Sequence, residues 1–166
     1  MKVLGIDPGV HGGLAIVEIN DGAMARLIDA IDVPVTGGGA KERVDVLATR
    51  AWIAGHQPDQ AVIERGQAMP KQGASSGFKY GRAVGALEAV IACCEIPLSI
   101  IEPAAWKRAL HLHGKDKEGA RQLALLRFPS AHALLARKRD HQRGEAALIA
   151  LFGASVRTGE GDAQAA

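Results

Sequence analysis

The sequence predicts an α/β fold, a five-stranded mixed sheet flanked by helices, and three observations carry that reading. Short apolar or alternating runs separated by turn residues fill the stretch up to Val33. From Val44 onward, apolar residues at helical spacing alternate with two further strand-like runs. Two of the strands end in an acid: Asp7 closes Val3-Leu4-Gly5-Ile6, and Glu64 closes Ala61-Val62-Ile63. Acids at the ends of buried strands suggest a metal site that does phosphate chemistry.

The elements follow in order. Val3 to Ile6, Gly13 to Ile19 and Ala25 to Val33 read as a three-strand meander, broken by Asp7-Pro8-Gly9 and by the hairpin signal Asn20-Asp21-Gly22. After the Gly-rich loop Thr36 to Ala40, Val44, Leu47, Ala48, Ala51 and Gly55 fall at helical spacing. Gln60 to Glu64 is a fourth strand and Leu98 to Glu102 a fifth, joined by a small-residue helix from Ser76 to Cys94. Such a crossover makes the two strands parallel. Pro103 opens a short helix to Leu110, Lys117 to Arg127 is helical, and Asp140 to Phe152 is the last helix, with Gly153 as its stop.

At 166 residues and 48% hydrophobic content, the chain supports one core and one domain, placed at 1–153. The Gly-, Ala- and charge-rich stretch 154–166 is expected to be a disordered tail. With no apolar run of membrane-spanning length and no signal-like N-terminus, the expectation is a soluble cytoplasmic protein. Cys93 and Cys94 read as small core residues. Net charge is +2, but unevenly spread: residues 1–64 hold five Lys/Arg against nine Asp/Glu, and residues 103–145 hold ten against four. That asymmetry points to a polyanion, or else to ordinary solvated helix faces.

The order β-β-β-α-β-α-β-α is the ribonuclease H-like arrangement, in which the first and fourth strands are central neighbours. Asp7 and Glu64 would meet at their carboxyl ends, where doubly wound sheets place ligands. Two adjacent carboxylates call for a divalent cation, although Asp7 could serve its turn and Glu64 could pair with Arg65. In Arg139-Asp140-His141-Gln142-Arg143-Gly144-Glu145, His141 and Glu145 lie one helical turn apart and can share an ion. Asp140 diverges from Glu145 by about 140° and makes a natural N-cap. The pair His111-x-His113 lacks a third ligand and reads as loop.

Gly5-Ile6-Asp7-Pro8-Gly9, Val62-Ile63-Glu64 and His141 to Ala150 together resemble the RuvC family of Holliday junction resolvases. Gly77-Phe78-Lys79-Tyr80-Gly81, Pro103-Ala104-Ala105-Trp106-Lys107 and Asp140 to Leu148 look closer still to its plant chloroplast branch and bacterial and phage-like relatives. The resemblance implies a homodimeric endonuclease that resolves four-way DNA junctions by paired metal-dependent nicks, acting in a bacterial or phage-infected cell. Carried over by position, the ligand set is Asp7, Glu64, His141 and Glu145. Asp140 stays as the alternative to His141, which helical geometry favours. Two Mg²⁺ ions about 3.5 to 4 Å apart would clamp the scissile phosphate, with Asp7 bridging them, and Mn²⁺ would also serve.

Junction arms would rest on Lys71, Lys79, Arg82, Lys107, Lys115, Lys117, Arg121, Arg137, Lys138, Arg139 and Arg143 as sequence-independent phosphate contacts. Phe78 and Tyr80, in the loop after Glu64, would stack on unpaired bases or else belong to the core. Trp106 reads as packing. The same metal cluster on this fold could instead cut RNA hybrids or flaps. A noncatalytic junction binder would lack one of the acids, and an actin-like kinase would need a duplicated domain. Whether a branch-migration partner exists is not readable from the sequence.

Overall fold

Continuous burial along the strands Lys2–Asp7, Gly13–Glu18 and Gln60–Glu64, with successive side chains entering opposite layers, builds the centre of the molecule. In the computed structural model, which describes residues 1–20, 24–67, 73–112 and 117–157, both faces of the sheet are covered. The chain runs β1 (Lys2–Asp7), β2 (Gly13–Glu18), β3 (Arg26–Asp32), the two-residue strands β4 (Val35–Thr36) and β5 (Arg43–Val44), α1 (Val46–His56) and β6 (Gln60–Glu64). It continues through α2 (Ala74–Cys93), β7 (Leu98–Ile101), α3 (Pro103–Ala109), α4 (Lys117–Arg127), the short α5 (His132–Leu135) and α6 (His141–Arg157).

The main sheet has the order β3-β2-β1-β6-β7. β1, β2 and β3 form the antiparallel meander, and β6 lies parallel to both β1 and β7. The expected sheet is therefore present, although residues 21–23 of the meander's second turn lie outside the described residues. Leu4, Ile6, Leu14, Ile16, Ala61 and Ile63 point to the layer containing α1 and α2. Val3, Ala15, Val17 and Val62 point to the opposite layer, where α3, α4 and α6 supply Trp106, Ala124, Leu148 and Ile149. Alternation along each strand is what lets one sheet feed two cores.

Several boundaries differ from expectation for local reasons. The Asp45 side chain accepts the Ala48 N–H at 3.0 Å, so α1 begins after Val44, which belongs to β5. That start turns the helix so that Thr49 and Ile53 face inward and Leu47 is 77% exposed. The Gly-rich loop carries an unanticipated hairpin, in which Val35 pairs with Val44 and Thr36 with Arg43. Cys93 is exposed and Cys94 half-buried, because α2 ends at the surface there. His111 takes a left-handed φ of 54°, and His113 lies outside the described residues.

Gly153 does not end α6, which continues to Arg157. A Cβ at Gly153 would stand 2.4 Å from Val62 Cγ2, so the glycine serves close approach of helix to strand. Residues 158–166 of the expected tail lie outside the described residues. Among the described residues, no helix is long and apolar enough to cross a membrane.

Candidate active site

β1 and β6 are paired in parallel with Ile6 opposite Ile63, so Asp7 and Glu64 leave the sheet at the same edge. Tyr80, on α2, is electrostatically coupled to both. Burial pushes its phenol up, and the Asp7 and then the Glu64 carboxylates add to that shift, to about 12. Tyr80 is thus a neutral O–H donor at working pH.

The turn after Asp7 is tight. Gly9 has a φ of 142°, and a Cβ on Gly12 would fall 2.0 Å from the Asp7 carbonyl oxygen. Gly12 N donates to Gly9 O at 3.1 Å, and Val33 N donates to Gly12 O at 2.9 Å. Asp7 then faces Gly13 across the β1–β2 pair.

Glycine also sets the position of α6. A Cβ on Gly5 would meet the Ala146 carbonyl oxygen at 1.9 Å, and one on Gly13 would meet that of Gln142 at 2.3 Å. The helix therefore lies backbone-close on β1 and β2, and its first turns reach the end of β1 that carries Asp7. The result is a cleft of about 520 Å³ lined by Asp7, the turn Pro8 to Gly12, Ser76, Lys79, Tyr80, Gln142 and Glu145.

The four expected ligands fall into two pairs. Asp7 and Glu145 line the cleft, whereas Glu64 and His141 do not. Glu64 Oε2 accepts from the fully buried Trp106 indole Nε1 at 2.6 Å. His141 Nδ1 lies 3.3 Å from the Lys138 carbonyl oxygen, and its Nε2 is buried with no hydrogen-bond partner. Among the described residues, no three His, Cys, Asp or Glu side chains gather tightly enough to hold one ion. Even so, the donors suit a hard divalent cation: carboxylate oxygens, an orphaned imidazole nitrogen, and a glutamate whose hydrogen-bond partner is a neutral indole.

Asp140 has another role. It closes a 3₁₀ turn, Lys138–Asp140, and α6 begins one residue later. Rather than capping α6, its carboxylate accepts from Arg137 N at 2.9 Å and from the Arg137 guanidinium at 2.9 to 3.2 Å. Arg143 Nη1 stands 3.8 Å away. Burial pushes the Asp140 carboxyl up, but the Arg137 bonds and the two guanidinium charges outweigh it and leave it below its ordinary value.

The basic residues are more engaged than their spacing in sequence implied. Arg121 is a correction: it is buried, bonded to Glu118 and to the Leu135 and Ala136 carbonyls, and so holds α4 against the segment after α5. Arg143 forms a two-point bond with Asp32 at 2.7 and 2.9 Å. Lys79 Nζ donates to Glu42 Oε2, and Lys107 Nζ sits 5.1 Å from the Trp106 ring centroid. Arg82 donates to the Glu42 carbonyl, while Arg139 is exposed. Lys71, Lys115 and the Lys117 side chain lie outside the described residues.

Phe78 and Tyr80 belong to α2, not to a loop. Phe78 is 72% exposed, while Tyr80 faces the cleft. Gln142, His11 and Glu42 were not anticipated. Gln142 carried a signal, since it and Glu145, three apart, also share a helix face. No sequence spacing links Glu42 to Lys79 or Trp106 to Glu64.

Comparison with known proteins agrees with this architecture. A family model described as "Crossover junction endodeoxyribonuclease RuvC" matches residues 3–140, ending one residue before α6. A relative of that description from Chloroflexus aggregans is 33% identical over 132 residues, covering 76% of this chain and 78% of its own. One from Mycobacterium avium is 36% identical over 69 residues, and there the match spans only 37% of the relative's length and 39% of this chain. Among solved structures, T. thermophilus RuvC in complex with Holliday junction substrate matches with a TM-score of 0.69 at 23% identity, over 96% of this chain and 98% of its own. The Fowlpox virus resolvase bound to Holliday junction DNA matches with a TM-score of 0.59 at 13% identity, over 90% and 95%. At these identities the two structures speak to the fold.

Proposed function

The chain belongs to the RuvC family, and on that premise we propose that it is a homodimeric, metal-dependent endonuclease that resolves four-way DNA junctions by paired nicks. The observation that carries the reading is the convergence of Asp7, Tyr80 and Glu145 on one cleft, with Glu64 at the same sheet edge. The proposed site of action is the nucleoid of a bacterial or phage-infected cell.

Asp7, Glu64, His141 and Glu145 are the residues that would hold Mg²⁺, two ions per site, with Mn²⁺ as a working substitute. Bound there, the ions would supply Lewis acidity to the phosphate and its attacking water. In the net hydrolysis a water oxygen would bond to phosphorus as the P–O3′ bond breaks, one water proton ending on O3′, so that 5′-phosphate and 3′-hydroxyl ends are left. Around that chemistry the protein orients groups. Trp106 fixes one oxygen of Glu64, Tyr80 offers a neutral hydroxyl to a phosphate oxygen, and the exposed Phe78 ring is the group free to stack on a base. Arg139 and Lys107 would contact the backbone of the arms, as would Lys71, Lys115 and Lys117.

The decisive experiment compares cleavage of an immobile four-way junction, a flap, a duplex and an RNA–DNA hybrid in Mg²⁺. Symmetric nicks confined to the junction are expected. Equal cutting of the hybrid or the flap would move the function to a general ribonuclease H-like nuclease, and binding without cutting would make the protein a passive junction binder.

Trp106→Phe keeps an aromatic ring in the core and removes the donor to Glu64 along with part of the ring volume, so its stability is measured beside its activity. The expected outcome is about a 10- to 100-fold loss of metal affinity or activity, with the metal requirement shifted upward. A metal titration of cleavage rate checks it, and an unchanged curve would show that the indole serves packing alone.

Two nicks at a two-fold branch point need two sites, which a C₂ dimer supplies. Ala83 is taken up by sheet packing, but Gly85, Ala89 and Ala92 are exposed on α2, and a Cβ on Gly81 or Gly85 would meet open space. That face is the proposed dimer contact. Sedimentation at micromolar protein should give a dimer, free or on the junction; a monomer in both states removes the proposal.

A further inference from the structure

Glu42, just before β5, gathers three basic side chains: His11 and Lys79 from the lining of the cleft, and Arg82 one turn further along α2. Its Oε2 accepts from Lys79 Nζ at 3.1 Å and lies 3.6 Å from His11 Nε2, while its carbonyl oxygen accepts from Arg82 Nη2 at 3.1 Å. Lys79 and His11 line the same cleft as Asp7 and Tyr80. The Glu42 carboxylate thus occupies the place beside Lys79 and His11 where a phosphate oxygen would be expected, with the Arg82 guanidinium next to it on the Glu42 carbonyl.

The element that carries Glu42 is suited to withdraw. The β4–β5 ladder has only two pairs, Val35 with Val44 and Thr36 with Arg43, and it forms a sheet of its own. A two-stranded ribbon of that length has little stability by itself. Two glycines in its loop, Gly37 at φ 78° and Gly39 at φ 56°, take left-handed conformations, and a Cβ on Gly39 would meet nothing within 4 Å. Beyond the ladder and its own turn, Glu42 is held by its bonds to His11, Lys79 and Arg82, while Val44, two residues on, is buried in the core and anchors β5.

We propose that His11, Lys79 and Arg82 form a binding site for a DNA backbone phosphate beside the catalytic cleft, and that Glu42 occupies it in the free protein as an internal competitor. This rests on the nuclease reading above and adds to it a latch. DNA entering the cleft exchanges one anion for another, so part of the attraction between the basic mouth and any polyanion is cancelled until the phosphate displaces Glu42. Weak contacts with duplex along the way are suppressed more than a junction that can fill the whole cleft.

The test measures binding of a labelled four-way junction and a labelled duplex in EDTA, where nothing is cut, as a function of salt. Glu42→Gln keeps the size of the side chain and removes its charge. It is expected to bind both DNAs about 3- to 10-fold more tightly, with the larger gain on duplex. Its log K against log salt should steepen by up to about one contact's worth, a slope change of about 0.9. Lys79→Met should weaken the Glu42→Gln protein more than it weakens the wild type, since in the wild type Lys79 must first leave Glu42.

Affinity unchanged or lowered by Glu42→Gln, or equal losses from Lys79→Met in both backgrounds, would overturn the latch. Should Glu42→Gln fail to fold by circular dichroism, Glu42→Asp, which shortens the reach to Lys79, is expected to show a smaller gain, and no gain there overturns the proposal equally. Wild-type protein that binds no DNA under any of these conditions would defeat the nuclease reading itself. Wild-type junction binding with no effect at position 42 defeats only the latch.

Discussion

Asp7→Asn is expected to abolish cleavage while leaving the protein folded and junction binding intact or tighter. Asp7 is the residue on which the site converges: it ends β1 next to Glu64, lines the cleft with Glu145, and raises the Tyr80 phenol. In the proposed role it serves both ions. An amide keeps the size and loses the charge, and it also removes one source of repulsion toward phosphate. Loss of more than a hundredfold in rate, about 2.7 kcal/mol, is the expected outcome in a single-turnover assay at saturating protein. A variant retaining more than about a hundredth of the wild-type rate would remove Asp7 from the bridging position.

The second large effect separates His141 from Asp140. His141→Ala should lose cleavage severely and recover in part at high Mn²⁺, because weakened affinity can be offset by mass action. Asp140→Asn should keep most of its activity at low temperature and lose stability instead. On helix capping alone an asparagine would be nearly neutral. The Asp140 carboxylate, 1% exposed, is held by the Arg137 guanidinium and backbone, and weakening such charge-assisted bonds costs about 1.5 to 3 kcal/mol.

The pH dependence has a definite sign. Because the folded-state carboxyl of Asp140 lies below its ordinary value of 3.8, its contribution is complete above that value and is lost as pH falls through the lower folded value. The difference in melting temperature between wild type and Asp140→Asn should therefore be largest near neutrality and close in acid. If Asp140→Asn is folded but inactive while His141→Ala cuts normally, the ligand is Asp140.

What was legible in the sequence was what repeats or terminates. Short apolar runs between turn residues revealed β1, β2 and β6, and an acid at the end of each of two central strands marked where Asp7 and Glu64 leave the sheet together. The His141–Glu145 spacing pointed to α6, which brings Glu145 and Gln142 to the cleft while His141 does not line it. What was hidden depends on contacts between segments far apart in the chain. Nothing near Trp106 indicates Glu64 forty-two residues earlier, and nothing near Glu42 indicates Lys79. Single-residue capping also redirected a whole helix: Asp45 sets the start of α1 and thereby which face is buried, a choice that the spacing of Val44 and Leu47 misassigned. Gly153 misled because a glycine near the end of an apolar helix looks like a stop, whereas here it admits Val62.

The seating of α6 on Gly5 and Gly13, with its own Gly153 against Val62, makes the two sides of the cleft mechanically unlike. With carbonyl oxygens and strand glycines in direct opposition, α6 cannot slide or roll without a backbone clash, so it acts as a fixed jaw and carries Glu145 at a constant height above β1. The ribbon bearing Glu42 is the movable jaw. Amide hydrogen exchange would then be slowest along α6 and β1 and faster from Val35 to Val44. DNA of varied arm geometry would be accommodated by that ribbon, leaving the spacing of Asp7 and Glu145 untouched.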